Sequence, residues 1–195
     1  MINKPNGWDN ARTYTDGGEQ LPPGGYVIKI LNTKIEKYGS SEKLVLQIDI
    51  NEGEHFEFYK EQWENQTQED KKWKGRFDMW LPKNDGSEQD GWTISRMKTN
   101  IAAIEDSNKG YHWDWNEQTL VGKIVGALFN TKEFRNDKGE VIAFTQCKYL
   151  TDVEKIRSGK FKIPKDDLLD GGSTKAGAGK VPEGFERLSD KDVPF

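Results

Sequence analysis

Hydrophobic and polar residues alternate along two stretches in the first third of the chain, which predicts a β-hairpin. The first stretch, YVIKILNTKIEKYG, is rich in β-branched residues, and the second, KLVLQIDINEG, follows it after two serines. Two such stretches separated by turn residues are typical of a hairpin. Alternation in the second stretch assigns one set of aliphatic residues to the core: Leu44, Leu46, Ile48 and Ile50.

The sequence GRFDMWLP predicts a third strand that stops at Pro82. The stretch WTISRMKTNIAAIEDSNKG then repeats apolar residues at helical spacing, at Ile94, Met97, Ile101 and Ile104, which predicts one amphipathic helix. Two further apolar runs flank the turn sequence NDKG and predict a second hairpin. Residues 54–74 have no clean period, and we predict an inserted loop with one helical turn there.

The predicted order is three strands, one helix and two strands. A five-stranded antiparallel sheet with its helix between the third and fourth strands is the order of the OB-fold, a small Greek-key barrel. We therefore predict an all-β domain with one helix over residues 26–163, into which 54–74 is inserted.

The two ends of the chain differ in composition from this domain. Residues 1–25 are polar and turn-rich and end in LPPGG, which indicates an N-terminal arm. Residues 164–189 are rich in Gly and poor in large apolar side chains, so they cannot offset the entropy of ordering. We predict a disordered linker there, followed by a short tip at 190–195.

Composition excludes several classes of protein. The chain carries 29 Lys and Arg against 33 Asp and Glu, which argues against a duplex-DNA binder. Its 9 Phe, 7 Trp and 6 Tyr would suit single strands, whose binding depends on stacking. One Cys and two His are too few for a zinc site built from Cys and His alone, and no apolar run approaches the roughly 20 residues of a membrane span. The first residues contain no apolar stretch of the kind a secretory signal needs, so the chain is expected in the cytoplasm.

Basic and aromatic residues come together at KKWKGRF and continue to Trp80. Strand alternation places Arg76 and Trp80 on the face opposite Phe77, and OB-folds bind strands on that part of the sheet and on the loops that flank it. An alternative is that Trp80 covers a secondary core. The predicted DNA-binding residues are Lys37, Tyr38, Trp73, Lys74, Arg76, Trp80, Arg135 and Lys138.

Three aromatic residues also alternate after the helix, at Tyr111, Trp113 and Trp115. Acidic residues outnumber basic ones in this segment, and apolar residues follow it directly. We predict a structural plug over the barrel end rather than a second stacking surface.

The last residues combine carboxylates, an aliphatic residue and a terminal Pro-Phe: Asp190, Asp192, Val193, Pro194 and Phe195. With the polar linker before it, this tip resembles that of the bacterial single-stranded DNA-binding proteins, although Lys191 interrupts the usual run of acids. The resemblance implies an OB-fold and a tip that recruits replication, recombination and repair proteins.

A second resemblance covers more of the chain. The stretches LPPGGYVIKI and SNKGYHWDWNEQTLVGKIVG are similar to proteins of Gram-positive phages and mobile elements that often have no assigned function. This similarity implies a setting in phage replication or recombination, in the cytoplasm of a bacterial or phage-infected cell, and names no active site.

The sequence thus predicts a non-enzymatic, sequence-tolerant single-stranded DNA-binding protein with no catalytic residues, cofactor or metal. One alternative is an OB-fold interaction module that binds no nucleic acid. A second is a Mg²⁺-dependent nuclease using Asp49, Asp78 and Asp85. A barrel edge can pair with another copy, so a homo-oligomer stays open.

Overall fold

The computed structural model of the chain describes residues 20–169, which form one antiparallel sheet and a few helices. The strands are β1 (Gly24–Tyr38), β2 (Ser41–Ile50), β3 (Arg76–Trp80), β4 (Ile124–Arg135) and β5 (Val141–Thr151). The helices are α1 (Phe58–Glu64), α2 (Glu88–Ser107) and α3 (Val153–Arg157), with a 3-10 helix at Glu117–Leu120. None of the helices in this range is long and apolar enough to cross a bilayer.

The sheet is open and its strand order is β3-β2-β1-β4-β5. The long strand β1 pairs with β2 along its second half and with β4 along its first half. The edge strands β3 and β5 contact each other without pairing. The five antiparallel strands predicted from the sequence are confirmed, whereas the predicted single helix is joined by two shorter helices, α1 and α3.

The core lies on one face of this sheet and follows the predicted alternation. All four aliphatic residues assigned to the core face of β2 are buried. Three residues of α2 cover them and the neighbouring strands: Met97, Ala103 and Ile104. The helix begins where the Ser87 side chain accepts a hydrogen bond from the backbone N–H of Asp90. Helix α2 therefore covers the apolar face, as its periodicity predicts.

Residues at both predicted boundaries belong to the folded part. Leu21, assigned to the arm, is buried in the core. Asp167, assigned to the linker, lies parallel to β4: its N–H donates to Thr131 O (2.8 Å), and its carbonyl accepts from Glu133 N (2.9 Å). This pairing forms because β1 pairs with β4 only as far as Phe129, which leaves the next β4 backbone groups available. The fold thus extends at least to Leu169.

The inserted segment 54–74 is anchored by one buried carboxylate. Asp49, next to the end of β2, accepts backbone hydrogen bonds from Ile50 and Tyr59 (both 2.8 Å) and from Lys60 (3.0 Å). Burial raises the pKa of the Asp49 carboxyl, and these three donors oppose that shift. Asp49 thereby fixes the start of α1 against the sheet.

Candidate nucleic-acid interface

A β-bulge in β1 determines which side chains reach the face of the sheet opposite the core, here called the outer face. The register of β1 against β2 shifts between Ile30 and Asn32. Before the bulge Ile30 is buried in the core; after it the core-facing residue is Thr33, which pairs with Leu46. The bulge therefore directs the even-numbered residues that follow it to the outer face.

The outer face of β1, β2 and β3 is a grid of three cross-strand rows. Most of its side chains are polar or charged, and one position at its centre, Val45, is apolar. The rows are Glu36–Lys43–Trp80, Lys34–Val45–Asp78 and Asn32–Gln47–Arg76. Tyr38 continues the same side of β1 beyond the first row. The outer face thus brings together three of the predicted DNA-binding residues: Tyr38, Arg76 and Trp80.

Two aromatic rings stand at one end of the outer face. Trp80 and Tyr38 have ring centroids 5.8 Å apart at an interplanar angle of 74°. Trp80 is 44% exposed and Tyr38 is 68% exposed. The Lys43 ammonium lies 5.9 Å from the Trp80 centroid and 5.6 Å from the Tyr38 centroid, within the range of a cation–π contact. Each ring thus keeps part of its surface open to solvent.

The charged side chains in the three rows of the outer face are paired with one another. The Arg76 guanidinium lies 2.7 Å from the Asp78 carboxylate and 3.3 Å from Glu36. Lys43 Nζ lies 2.7 Å from Asp78 and 3.8 Å from Glu36, and Lys34 Nζ lies 3.0 Å from Glu36. The hydrogen bond from Lys34, assisted by Arg76, holds the pKa of the Glu36 carboxyl below its usual value. Three cations therefore face two carboxylates, which leaves a local excess of one positive charge.

The two tryptophans of the basic-aromatic stretch have different environments. Trp73 packs against the core and its Nε1 donates to the carbonyl of Ile48 (3.1 Å), so its ring is not on the outer face. A Cβ at Gly75 would lie 2.2 Å from that same carbonyl, so only Gly fits between Trp73 and β3. Lys74 lies between Trp73 and Gly75 in the sequence and is exposed beside the start of β3.

The other predicted basic residues lie elsewhere. Lys37 pairs with Glu42 and, by alternation, points to the side opposite Tyr38. Arg135 donates to Gly139 O (2.8 Å) in the β4–β5 turn that also contains Lys138. Since Gly24 at the start of β1 pairs with Phe129, β4 runs on past that start, away from the end of β1 that carries Tyr38. The pairing therefore places the two loops at opposite ends of the sheet.

Lys34 and Glu36 are not among the predicted DNA-binding residues, and Asp78 is predicted only as a candidate metal ligand. Their signal in the sequence is alternation with Tyr38 along β1 and with Trp80 along β3. To assign Lys34, Glu36 and Asp78 to one face from this alternation, the position of the bulge and the register of β2 against β3 must be known.

The aromatic segment after α2 is held mainly by structural contacts. Tyr111 and Trp113 pack against the core, and Trp113 Nε1 donates to Asn116 O (3.1 Å). Trp115 is 77% exposed and its ring lies 4.9 Å from that of Trp113. The first two rings agree with the predicted plug, while Trp115 extends into solvent.

The three carboxylates considered for a metal have separate roles. Asp49 anchors α1, Asp78 pairs with Lys43 and Arg76, and Asp85 accepts from the N–H of Ser87 (2.9 Å). Within residues 20–169, no group of three or more His, Cys, Asp or Glu side chains is placed to hold a metal ion.

No protein-family model matches this chain, and no curated protein is similar to it.

Proposed function

We propose that this protein binds single-stranded DNA with little sequence preference, in the replication or recombination of a phage or mobile element, and that it is not an enzyme. The observation that carries the proposal is the half-exposed Trp80, which stands beside Tyr38 and above Lys43 on the outer face of the sheet. Aromatic rings next to cations on an open sheet surface are what single-strand binding requires.

The strand order supports an OB-fold as the architecture for this function. The first strand of the sheet pairs with both the second and the fourth, and the two remaining edges, β3 and β5, lie in contact. Closing those edges would complete a five-stranded barrel, with α2 between the third and fourth strands. The outer face of β2 and β3 is the surface on which such barrels bind oligonucleotides.

The geometry of the ring pair suggests how a strand would bind. A base that stacks on Trp80 and a base that stacks on Tyr38 would be close to perpendicular, because the two rings are. Successive bases would therefore unstack from each other as they bind. Stacking of this kind does not depend on base identity, and Lys34, Lys74 and Arg76 would supply attraction to the phosphates.

The direct test is a titration of intrinsic tryptophan fluorescence with oligo-dT at low and at high salt. We expect saturable quenching that weakens as salt rises, because a partly exposed indole is in the binding surface and phosphate contacts release counterions. Absence of quenching at micromolar strand at either salt concentration would contradict the proposal.

Substitution of Lys74 separates phosphate attraction from stacking. We expect Lys74→Ala to lower the magnitude of the salt slope of oligo-dT affinity by about 0.7 units, since one phosphate contact on a single strand contributes that much. The matched control is Lys98→Ala, an exposed lysine on α2, which covers the other side of the sheet. Equal slopes for both variants would place the phosphate contact elsewhere.

A second candidate is a protein-interaction module without nucleic-acid binding. It is favoured by apolar side chains on the β4–β5 hairpin, where Phe134 and Phe144 have centroids 5.6 Å apart and are each more than a third exposed, beside Ile142. Exposed apolar side chains in a cluster often mark a protein contact. The fluorescence titration distinguishes the two candidates, because only the first predicts quenching by oligo-dT.

The proposal includes recruitment of replication and recombination proteins by the tip, Asp190 to Phe195. This tip and most of the predicted linker lie outside residues 20–169, so this part of the proposal depends on the sequence alone.

A further inference from the structure

We propose that Glu36 and Asp78 limit the affinity of the outer face for single strands by occupying its cations until a phosphate replaces them. This inference rests on the proposed function and concerns the same site. It identifies two residues that set how tightly, and over what range of salt, a strand binds.

The distances show that the pairing involves most of the cationic groups on the outer face. Arg76 contacts both carboxylates, and Asp78 lies 2.7 Å from Arg76 and from Lys43 alike. Lys43 has a side chain only 14% exposed, so its ammonium has little surface left for a phosphate. Its place below the two rings makes it a positioning residue for Tyr38 and Trp80.

Arg76 is the cation best placed to exchange partners. Its side chain is 45% exposed, and it lies on the same strand and face as Trp80, four residues away. A guanidinium has donors for two oxygen atoms at once and binds phosphate as readily as carboxylate. Asp78 and Glu36 hold the Nε and Nη2 groups of Arg76. A strand that stacks on Trp80 and binds a phosphate through these two groups would therefore displace Glu36 or Asp78.

Such an exchange changes the electrostatics of binding in two ways. Each displaced carboxylate is left close to a bound phosphate, and like charges at short range lower the affinity. The displaced carboxylate also attracts a cation from solution, which offsets one of the counterions that the strand releases. The affinity of the natural protein should therefore be weaker and less dependent on salt than its three outer-face cations would give alone.

Neutralising one carboxylate tests this inference. We expect Glu36→Gln to raise oligo-dT affinity roughly three- to tenfold at low salt. We expect it to steepen the salt slope by about 0.7 units. The matched control is Glu42→Gln, which makes the same change in net charge on the opposite side of β2, one residue from Lys43. The measurement is a fluorescence titration of each full-length variant, with thermal unfolding to verify that the fold is retained.

A double-mutant cycle assigns the effect to the pairing itself. In an Arg76→Gln background, Glu36→Gln should raise affinity less than in the natural protein, because Arg76 is gone and, of the exposed cations that Glu36 pairs with, only Lys34 is left to release. Equal gains from Glu36→Gln and Glu42→Gln, or equal gains in both backgrounds, would overturn the inference. So would an unchanged affinity in Glu36→Gln while Trp80→Ala still weakens binding, a result that leaves the proposed function intact. Failure of the natural protein and of every variant to bind oligo-dT would instead overturn the proposed function and this inference with it.

Discussion

Trp80→Ala is expected to weaken oligo-dT binding by about 1–3 kcal/mol, which is about 5- to 150-fold, because it removes one base–aromatic stacking contact. The fold should persist, since the indole is 44% exposed and lies beside Tyr38 and Lys43 on the outer face, opposite the core. The measurement is affinity by fluorescence anisotropy of a labelled oligo-dT, with circular dichroism and thermal unfolding as checks on the fold.

Two further variants test whether the loss of affinity comes from the stacking surface formed by Trp80 and Tyr38. Trp80→Phe keeps an aromatic face and should retain most of the affinity. Trp115→Ala removes an indole that is more exposed than Trp80 and contacts Trp113 in the segment after α2, so it should leave affinity unchanged. If Trp80→Ala unfolds the domain, or Trp115→Ala weakens binding as much, the stacking surface is not the one formed by Trp80 and Tyr38.

The strands and the core were predictable because alternation in β2 and β3 is regular. Leu44, Leu46 and Ile48 recur at every second position, and burial of one face is enough to produce that pattern. The same regularity predicts that Phe77 points inward and Trp80 outward, and the structure has Phe77 buried and Trp80 exposed. The face on which each of these residues lies follows from alternation within its own strand, so no information about a neighbouring strand is needed.

The second half of β1 was not assigned to faces from its sequence. One residue inserted at the bulge reverses the alternation, and nothing in the composition around Leu31 marks it. As a result Lys34 and Glu36 were missed, although they share the outer face with Tyr38. Their pairing with Arg76 depends on the register of three strands, which sequence alternation in one strand does not contain.

Composition also failed at the predicted start of the linker. The segment 164–189 is rich in Gly and, taken as a whole, poor in large apolar residues, which predicts disorder from its first residue onward. The order of the residues near Asp167 comes from hydrogen bonds instead: Asn130 Nδ2 donates to the carbonyl of Lys165 (2.7 Å), and the Asp166 carboxylate accepts from Thr131 N (2.9 Å). Hydrogen bonding to the side of β4 that β1 leaves unpaired beyond Phe129 is a long-range property that local composition does not report.

Deletion of Val193–Phe195 is expected to abolish capture of replication and recombination proteins from the extract of a phage-infected or host cell by the tagged full-length protein. The physical reason is that Phe195 and Val193 supply apolar groups that can bury in a partner pocket, while Asp190 and Asp192 direct the approach to a basic surface. The core that the structure describes is built from residues between Leu21 and Leu150, so thermal unfolding should not change.

The deletion separates recruitment from strand binding. Affinity for oligo-dT should stay the same, because the outer face of β1, β2 and β3 includes none of the deleted residues. A matched control is the substitution of Lys191 by Ala, which alters the charge of the tip and keeps its apolar groups; capture should persist. If the deleted and natural proteins capture the same partners, the Pro-Phe sequence has no recruiting role. The proposed place of this chain among single-stranded DNA-binding proteins would then depend on the Trp80 surface alone.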